Sequence, residues 1–299
     1  MLSRYQSDFS IRGIGGGGFI SAPFVFFMQK TKRRKSTKRR KAVKRKSLDF
    51  KSLPKRKTIV ISAVLLLALC VLLSAVFAPH GRKLPNPLPE LGKDVALGVD
   101  ISEHNGTVDW YNLKDEADFA LIRVGYTGYA SGKICLDKNF KDNIKQANSV
   151  GMPVGIYYYT QATDKKEAKQ EAKFVLHELR NYDISLPVFI DFEYAQADGE
   201  FVGRLYDSQL SSDECIDIIN EFCTVIEKEG YSSGVYASAD VMSNNINMKS
   251  LNADSYIWVA HYAKNLGYKG DFDVWQYTDK GESDCVESDY VDMNYWYLV

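Results

Sequence analysis

Residues 187–194 read Pro-Val-Phe-Ile-Asp-Phe-Glu-Tyr, and the pattern of this run decides how the rest of the chain is read. Proline can open a strand without losing a ladder hydrogen bond, so Pro187 marks a beginning. Three apolar residues in succession then suit a strand covered on both faces. Side chains alternate along a strand, so Asp191 and Glu193 point one way, with Phe189 one step deeper, while Ile190 and Phe192 point the other. The two acidic α-carbons lie ~6.5–7 Å apart from the rise per residue. Carboxylates at the end of an otherwise apolar strand are costly to bury without a purpose. In isolation an exposed strand end with two solvated acids would look the same, and Asp-x-Glu alone is a weak signal.

Outward from this run, short apolar stretches alternate with amphipathic ones. Strands are predicted over 95–102, 119–126, 153–160 and 187–194, and again over 234–238, 256–262, 273–277 and 291–295. Helices are predicted over 109–117, 137–150, 165–181 and 212–229. In the last of these, Ser211 and Glu214 have capping-box spacing. Its residues Cys215, Ile218, Ile219, Phe222, Val225 and Ile226 keep the 3.6-residue period. After Ser238 little helix is left between the strands. The alternation predicts an α/β fold with a parallel sheet, an irregular (β/α) TIM-like barrel whose last strands lack full helices, over residues 95–299. In a closed barrel the first and last strands are neighbours. Asp100, in Gly-Val-Asp-Ile-Ser (98–102), and Asp292, in Val-Asp-Met-Asn (291–294), then share one rim with Asp191 and Glu193.

The formal net charge of zero hides two unlike parts. Residues 30–57 hold 16 Lys and Arg against the single acid Asp49, whereas residues 79–299 hold 20 Lys and Arg against 36 Asp and Glu. Between them, residues 58–78 form an uncharged apolar run, whose helix of about 30 Å matches a bilayer's hydrocarbon core. The basic run before it places the N-terminus in the cytoplasm and everything after Ala78 outside. The length of the run favours an uncleaved anchor over a signal peptide cleaved after Ala78. Residues 1–57 read as a disordered basic tail held on anionic lipid instead of on nucleic acid, and Met28 is an alternative start to Met1. Pro79, Pro85, Pro87 and Pro89 predict a stiff spacer over 79–94. Of the five cysteines, Cys215 and Cys223 are too far apart on one helix to bridge, and Cys135 and Cys285 are candidates for pairing in an oxidising exterior, with free thiols as the default. The four histidines are scattered and no Cys-x-x-Cys occurs, which argues against a zinc hydrolase.

Nine motifs occur in order: GVDISEHNG (98–106), DW (109–110), FALIRVGYTGY (119–129), GIYYYTQA (155–162), PVFIDFE (187–193), GVYAS (234–238), WVAHY (258–262), VWQYT (274–278) and VDMN (291–294). In order and spacing the chain resembles glycoside hydrolase family 25 lysozymes. The resemblance implies a barrel that cleaves the β-1,4 bond between N-acetylmuramic acid and N-acetylglucosamine in peptidoglycan glycan strands. It implies Glu193 as general acid, Asp191 as the residue that orients the 2-acetamido group, and Asp100 and Asp292 as completing an acidic site. One departure is Arg123-Val124-Gly125-Tyr126-Thr127, where many members have Lys-Ala-Thr-Glu-Gly; this bears on glycan contacts.

Tyr157, Tyr262 and Trp275 fall near predicted carboxyl ends of strands and are candidate sugar platforms, Tyr157 and Tyr262 the more so from their place in the motifs. No metal or cofactor is implied. The acetamido oxygen of the substrate can serve as nucleophile and give retention, whereas the carboxylate spacing leans towards inversion; both stay open. A competing function is a catalytically inactive wall-binding module. No wall-binding repeat is read beside residues 95–299, which favours an enzyme of the cell's own envelope over a phage-derived lysin.

Overall fold

The computed structural model describes residues 82–298. The basic tail and the apolar run at 58–78 lie outside them. Among the described residues no helix is long and apolar enough to cross a membrane.

Eight strands follow one another around a closed barrel: β1 (Val95–Ile101), β2 (Phe119–Thr127), β3 (Val154–Tyr159), β4 (Val188–Asp191), β5 (Ser233–Ser238), β6 (Tyr256–Ala260), β7 (Val274–Gly281) and β8 (Val291–Tyr297). β1 to β7 run parallel. The last strand departs from the expected parallel sheet, because β8 is antiparallel to both β7 and β1. The cause is the connection: residues 282–290 are too few for a crossover helix, so the chain turns back. β8 then pairs with β1, placing Asp292 opposite Asp100.

Helices cover the outside: α1 (Trp110–Glu116), α2 (Phe140–Ser149), α3 (Lys165–Glu178), α4 (Arg204–Asp207), α5 (Ser212–Lys228) and α6 (Ala239–Asn244). The capping box at Ser211 and Glu214 opens α5 as the sequence predicts. An unforeseen hairpin, Ala195–Ala197 with Glu200–Val202, and α4 separate β4 from α5. Its turn is Asp198-Gly199, both at positive φ, the geometry that Asp-Gly favours between two strands.

Alternation divides the core in two. Phe119, Leu121, Phe189, Trp258 and Trp296 fill the barrel interior. Val99, Ile101, Ile122, Val188, Ile190 and Val235 face the helices. Gly98 and Gly234 make room for the interior rings, since a Cβ there would collide with Phe119 and Phe189 respectively.

Part of the segment read as a stiff spacer, 79–94, packs against the domain. Leu84 N donates to Ile184 O. Leu88–Leu91 form a 3-10 turn with Leu88 fully buried in the interior cluster. Burial of that one apolar side chain outweighs the extended preference of its prolines. Leu88→Ala is expected to lower the unfolding free energy by about 2–5 kcal/mol in urea denaturation; an unchanged midpoint would mean that the segment is detached in solution.

Candidate active site

The carboxyl ends of the parallel strands bring polar side chains to one mouth. Asp100 from β1, Arg123 from β2, Asp191 from β4, Gln276 from β7 and Asn294 from β8 are all buried. By alternation each shares the inward face with interior residues one or two steps deeper, such as Phe189 below Asp191 and Trp296 below Asn294. Glu193 lies two residues beyond the end of β4 and is half-buried, as is Asp292.

Asp100 is the best-held of the acids. Its Oδ2 accepts hydrogen bonds from Gln276 Nε2 and Asn294 Nδ2, each at 2.9 Å. The amide oxygens face the other way and are themselves occupied. Gln276 Oε1 accepts from Tyr236 Oη and Tyr262 Oη, both at 2.8 Å, and Asn294 Oδ1 accepts from Trp258 Nε1 at 2.8 Å. These donors fix which end of each amide faces the carboxylate. Asp292 also hydrogen-bonds Asp100.

The electrostatics are dominated by loss of water. Burial raises Asp100 to about 6, against the lowering effect of its bonds from Asn294, Gln276 and Asp292. Burial also raises Asp191 well above the usual carboxylate range, reinforced by the charges of Glu193 and Asp100 and opposed by Arg123. Glu193 is raised to about 7 by burial and then by Asp100, again opposed by Arg123. That guanidinium is 1 % exposed and is committed to other acids, Asp137 through Nε at 2.8 Å and Glu103 through Nη2 at 3.3 Å. It therefore moderates the charge of the mouth without neutralising any one carboxyl there.

Asp100, Asp191, Glu193 and Asp292 thus meet at one mouth, and Tyr262 joins them through Gln276. Two expected platforms do not. Tyr157 is 6 % exposed inside the barrel, its ring edge-on to Trp258 at 5.8 Å between centroids, with no open face for a sugar. Trp275 lies on the outer face of β7, its Nε1 donating to His261 O and its ring beside Tyr277 and Tyr295. The strand phase explains the correction: Val274 and Gln276 are the inward residues, and Trp275 between them cannot be. Gln276, Asn294 and Tyr236 are the functional neighbours that the sequence did not single out. A two-residue step from Asp292 to Asn294 was the available signal for one of them. Cys135, Cys215, Cys223 and Cys285 are all unpaired thiols.

Asp191 Oδ1 is buried with no hydrogen-bond partner among the described residues. Asp191 and Glu193 bind protons more tightly folded than unfolded. Their stabilising contribution is complete below the ordinary values of 3.8 and 4.5 and is lost as pH rises, through about 7 for Glu193. Asp191→Asn should therefore raise the melting temperature at pH 7.5, by about 2–4 °C per kcal/mol relieved, and the gain should shrink towards pH 4. A lower Tm than wild type at pH 7.5 in thermal scans would contradict this.

The profile of glycosyl hydrolases family 25 matches residues 99–286. Among solved structures, the modular autolysin LytC of Streptococcus pneumoniae, in complex with a synthetic peptidoglycan ligand, is 26% identical with a TM-score of 0.55, over 68% of this chain and 47% of that one. The chain therefore spans about half the length of that relative. A family 25 glycosyl hydrolase from Bacillus anthracis is 24% identical (TM-score 0.53, 68% of this chain and 88% of that one). The bacterial lysozyme of Streptomyces coelicolor is 22% identical (TM-score 0.54, 67% and 90%). These two likenesses are of fold. No curated protein matched in sequence. The profile covers more than half of the chain, and the protein belongs to glycosyl hydrolases family 25.

Proposed function

We propose that this protein is a peptidoglycan hydrolase of the lysozyme type, an N-acetylmuramidase that cleaves the β-1,4 bond between N-acetylmuramic acid and N-acetylglucosamine. The observation that carries this is the pair Asp191 and Glu193 at the end of β4, both raised in pKa within a mouth ringed by further acids. A carboxyl raised to about 7 still holds its proton at mildly acidic pH and can deliver it to a glycosidic oxygen. The half-buried position of Glu193 leaves it within reach of substrate.

The substrate supplies the nucleophile. Its acetamido oxygen attacks the anomeric carbon, the bond to the leaving sugar breaks, and the Glu193 proton passes to the leaving oxygen. Asp191, whose Oδ1 has no partner among the described residues, accepts the acetamido N–H and orients that group for attack. Water then opens the oxazolinium ring and gives its proton to the Glu193 carboxylate, which restores the acid with retention at the anomeric centre. Burial, and then the charge of Asp100, keeps Glu193 neutral. Tyr262 lines the same mouth.

Glu193→Gln is expected to lower kcat by about 100-fold or more. For wild type, kcat/KM is expected to fall as pH rises through about 7. Mass spectrometry of the products should find reducing-end N-acetylmuramic acid, with the β-anomer formed first. Undiminished clearance of peptidoglycan by the Gln variant would support a binding module instead, and reducing-end N-acetylglucosamine would indicate a glucosaminidase.

We also place the enzyme at the cell membrane, with residues 58–78 as a single span and the barrel outside. Supporting this are the apolar run itself and the 16 basic residues before it. The formal charge of −16 over residues 79–299 repels anionic wall polymers, so tethering supplies local concentration at the wall. A soluble fragment from residue 82, which retains Leu88, should be less potent on cells than the full chain at matched concentration; equal potency would remove the role of the tether.

A further inference from the structure

The proton donor of the proposed reaction stands where regular structure has already stopped. β4 ends at Asp191. One residue on, Phe192 N still donates to Tyr236 O at 2.8 Å. At Glu193 the main chain is met by a side chain, Gln161 Nε2, which donates to Glu193 O at 3.2 Å. Gln161 follows the end of β3 by two residues and is fully buried.

The loop that carries Gln161 is itself fixed from behind. Thr160 N donates to Asp191 O at 3.0 Å. Thr160 Oγ1 donates to Glu171 Oε2 at 2.6 Å, and Gln161 N reaches Glu171 Oε1 at 3.4 Å. Thr127 Oγ1, from the end of β2, donates to the same Oε1 at 2.6 Å. Glu171 lies on α3 and is 2 % exposed, so one buried carboxyl ties together the ends of β2 and β3. Burial raises it to about 7 against the pull of these donors.

We propose that Gln161 is a positioning residue for the proton donor: its side-chain amide pins the main chain of Glu193, with Glu171 as the post that holds Gln161. The inference rests on the assignment of Glu193 as the acid. Gln161 Oε1 is buried with no partner among the described residues. Burying an amide with one end unsatisfied costs stability, and an apolar side chain would serve better if packing were the whole purpose. The geometric demand on the acid supplies the reason for the amide, because a misplacement of about 1 Å at a reacting group can cost about 100-fold in rate.

The groups whose charge is felt at Glu193 are Asp100 from β1, Arg123 from β2, Asp191 two residues before it, Tyr236 from β5 and Tyr262 after β6, and Asp292 from β8 lies opposite Asp100. None is altered by changing Gln161, so the alkaline limb of activity then reports where Glu193 itself sits. Full-length Gln161→Leu and Gln161→Met proteins are to be assayed on purified peptidoglycan across the pH range, beside wild type and Glu193→Gln. Both are expected to show kcat lowered by about 10- to 100-fold, KM within about twofold, and an alkaline limb of kcat/KM displaced to lower pH, as the loosened carboxyl gains water.

Wild-type kcat and limb would overturn the proposal. So would a lower kcat with an unmoved limb, which marks fewer folded molecules and nothing more. If Gln161→Leu does not fold, Gln161→Met, of similar length and without the donor, carries the comparison; failure of both to fold would make Gln161 a core residue and overturn the proposal too. An inactive Glu193→Gln beside unaffected Gln161 variants would sink this inference alone. A fully active Glu193→Gln would sink the assignment of the acid and the inference together.

Discussion

The mouth of the barrel depends on keeping several carboxyls out of water without a cation for each. Asp100, Asp191 and Glu193 are all raised by burial, and Arg123 is already bound to Asp137 and Glu103. The compensation comes from neutral donors. Two amides converge on Asp100, and both are locked by donors on their oxygen ends, so neither can turn its oxygen towards the acid. The aromatic residues that do the locking, Tyr236, Tyr262 and Trp258, also pack with the interior cluster. Interior packing and the charge state of the mouth are thus parts of one arrangement.

Much of this was legible because the acids broke an otherwise apolar pattern. Asp191 and Glu193 fixed the inward phase of β4, and Asp100 and Asp292 did the same for the first and last strands. Where both faces of a strand are apolar, the phase is invisible in sequence, because helix-facing and interior-facing residues have the same chemistry. Trp275 therefore reads as a platform although Gln276 beside it is the inward residue. Tyr157 differs in depth: it points inward but lies level with Phe189, a layer below Asp191, and depth along a strand leaves no mark in the sequence.

Strand direction was equally hidden. A continuous apolar run reads the same parallel or antiparallel, so the reversal of β8 is visible only in the brevity of residues 282–290. The hairpin after β4 did carry a signal in Asp198-Gly199. The docking of Leu88 was masked by the prolines around it. In the helices, side-chain caps and the 3.6-residue period placed the ends closely, as at Ser211.

The pairing of β8 with β1 brings together residues from opposite ends of the domain. Asn294 reaches Asp100 only when that seam is closed, and Asp292 lies opposite Asp100 only in that register. Without that seam Asp100 loses both its Asn294 donor and its Asp292 neighbour. Closure of the last seam and assembly of the acidic mouth are thus one structural event.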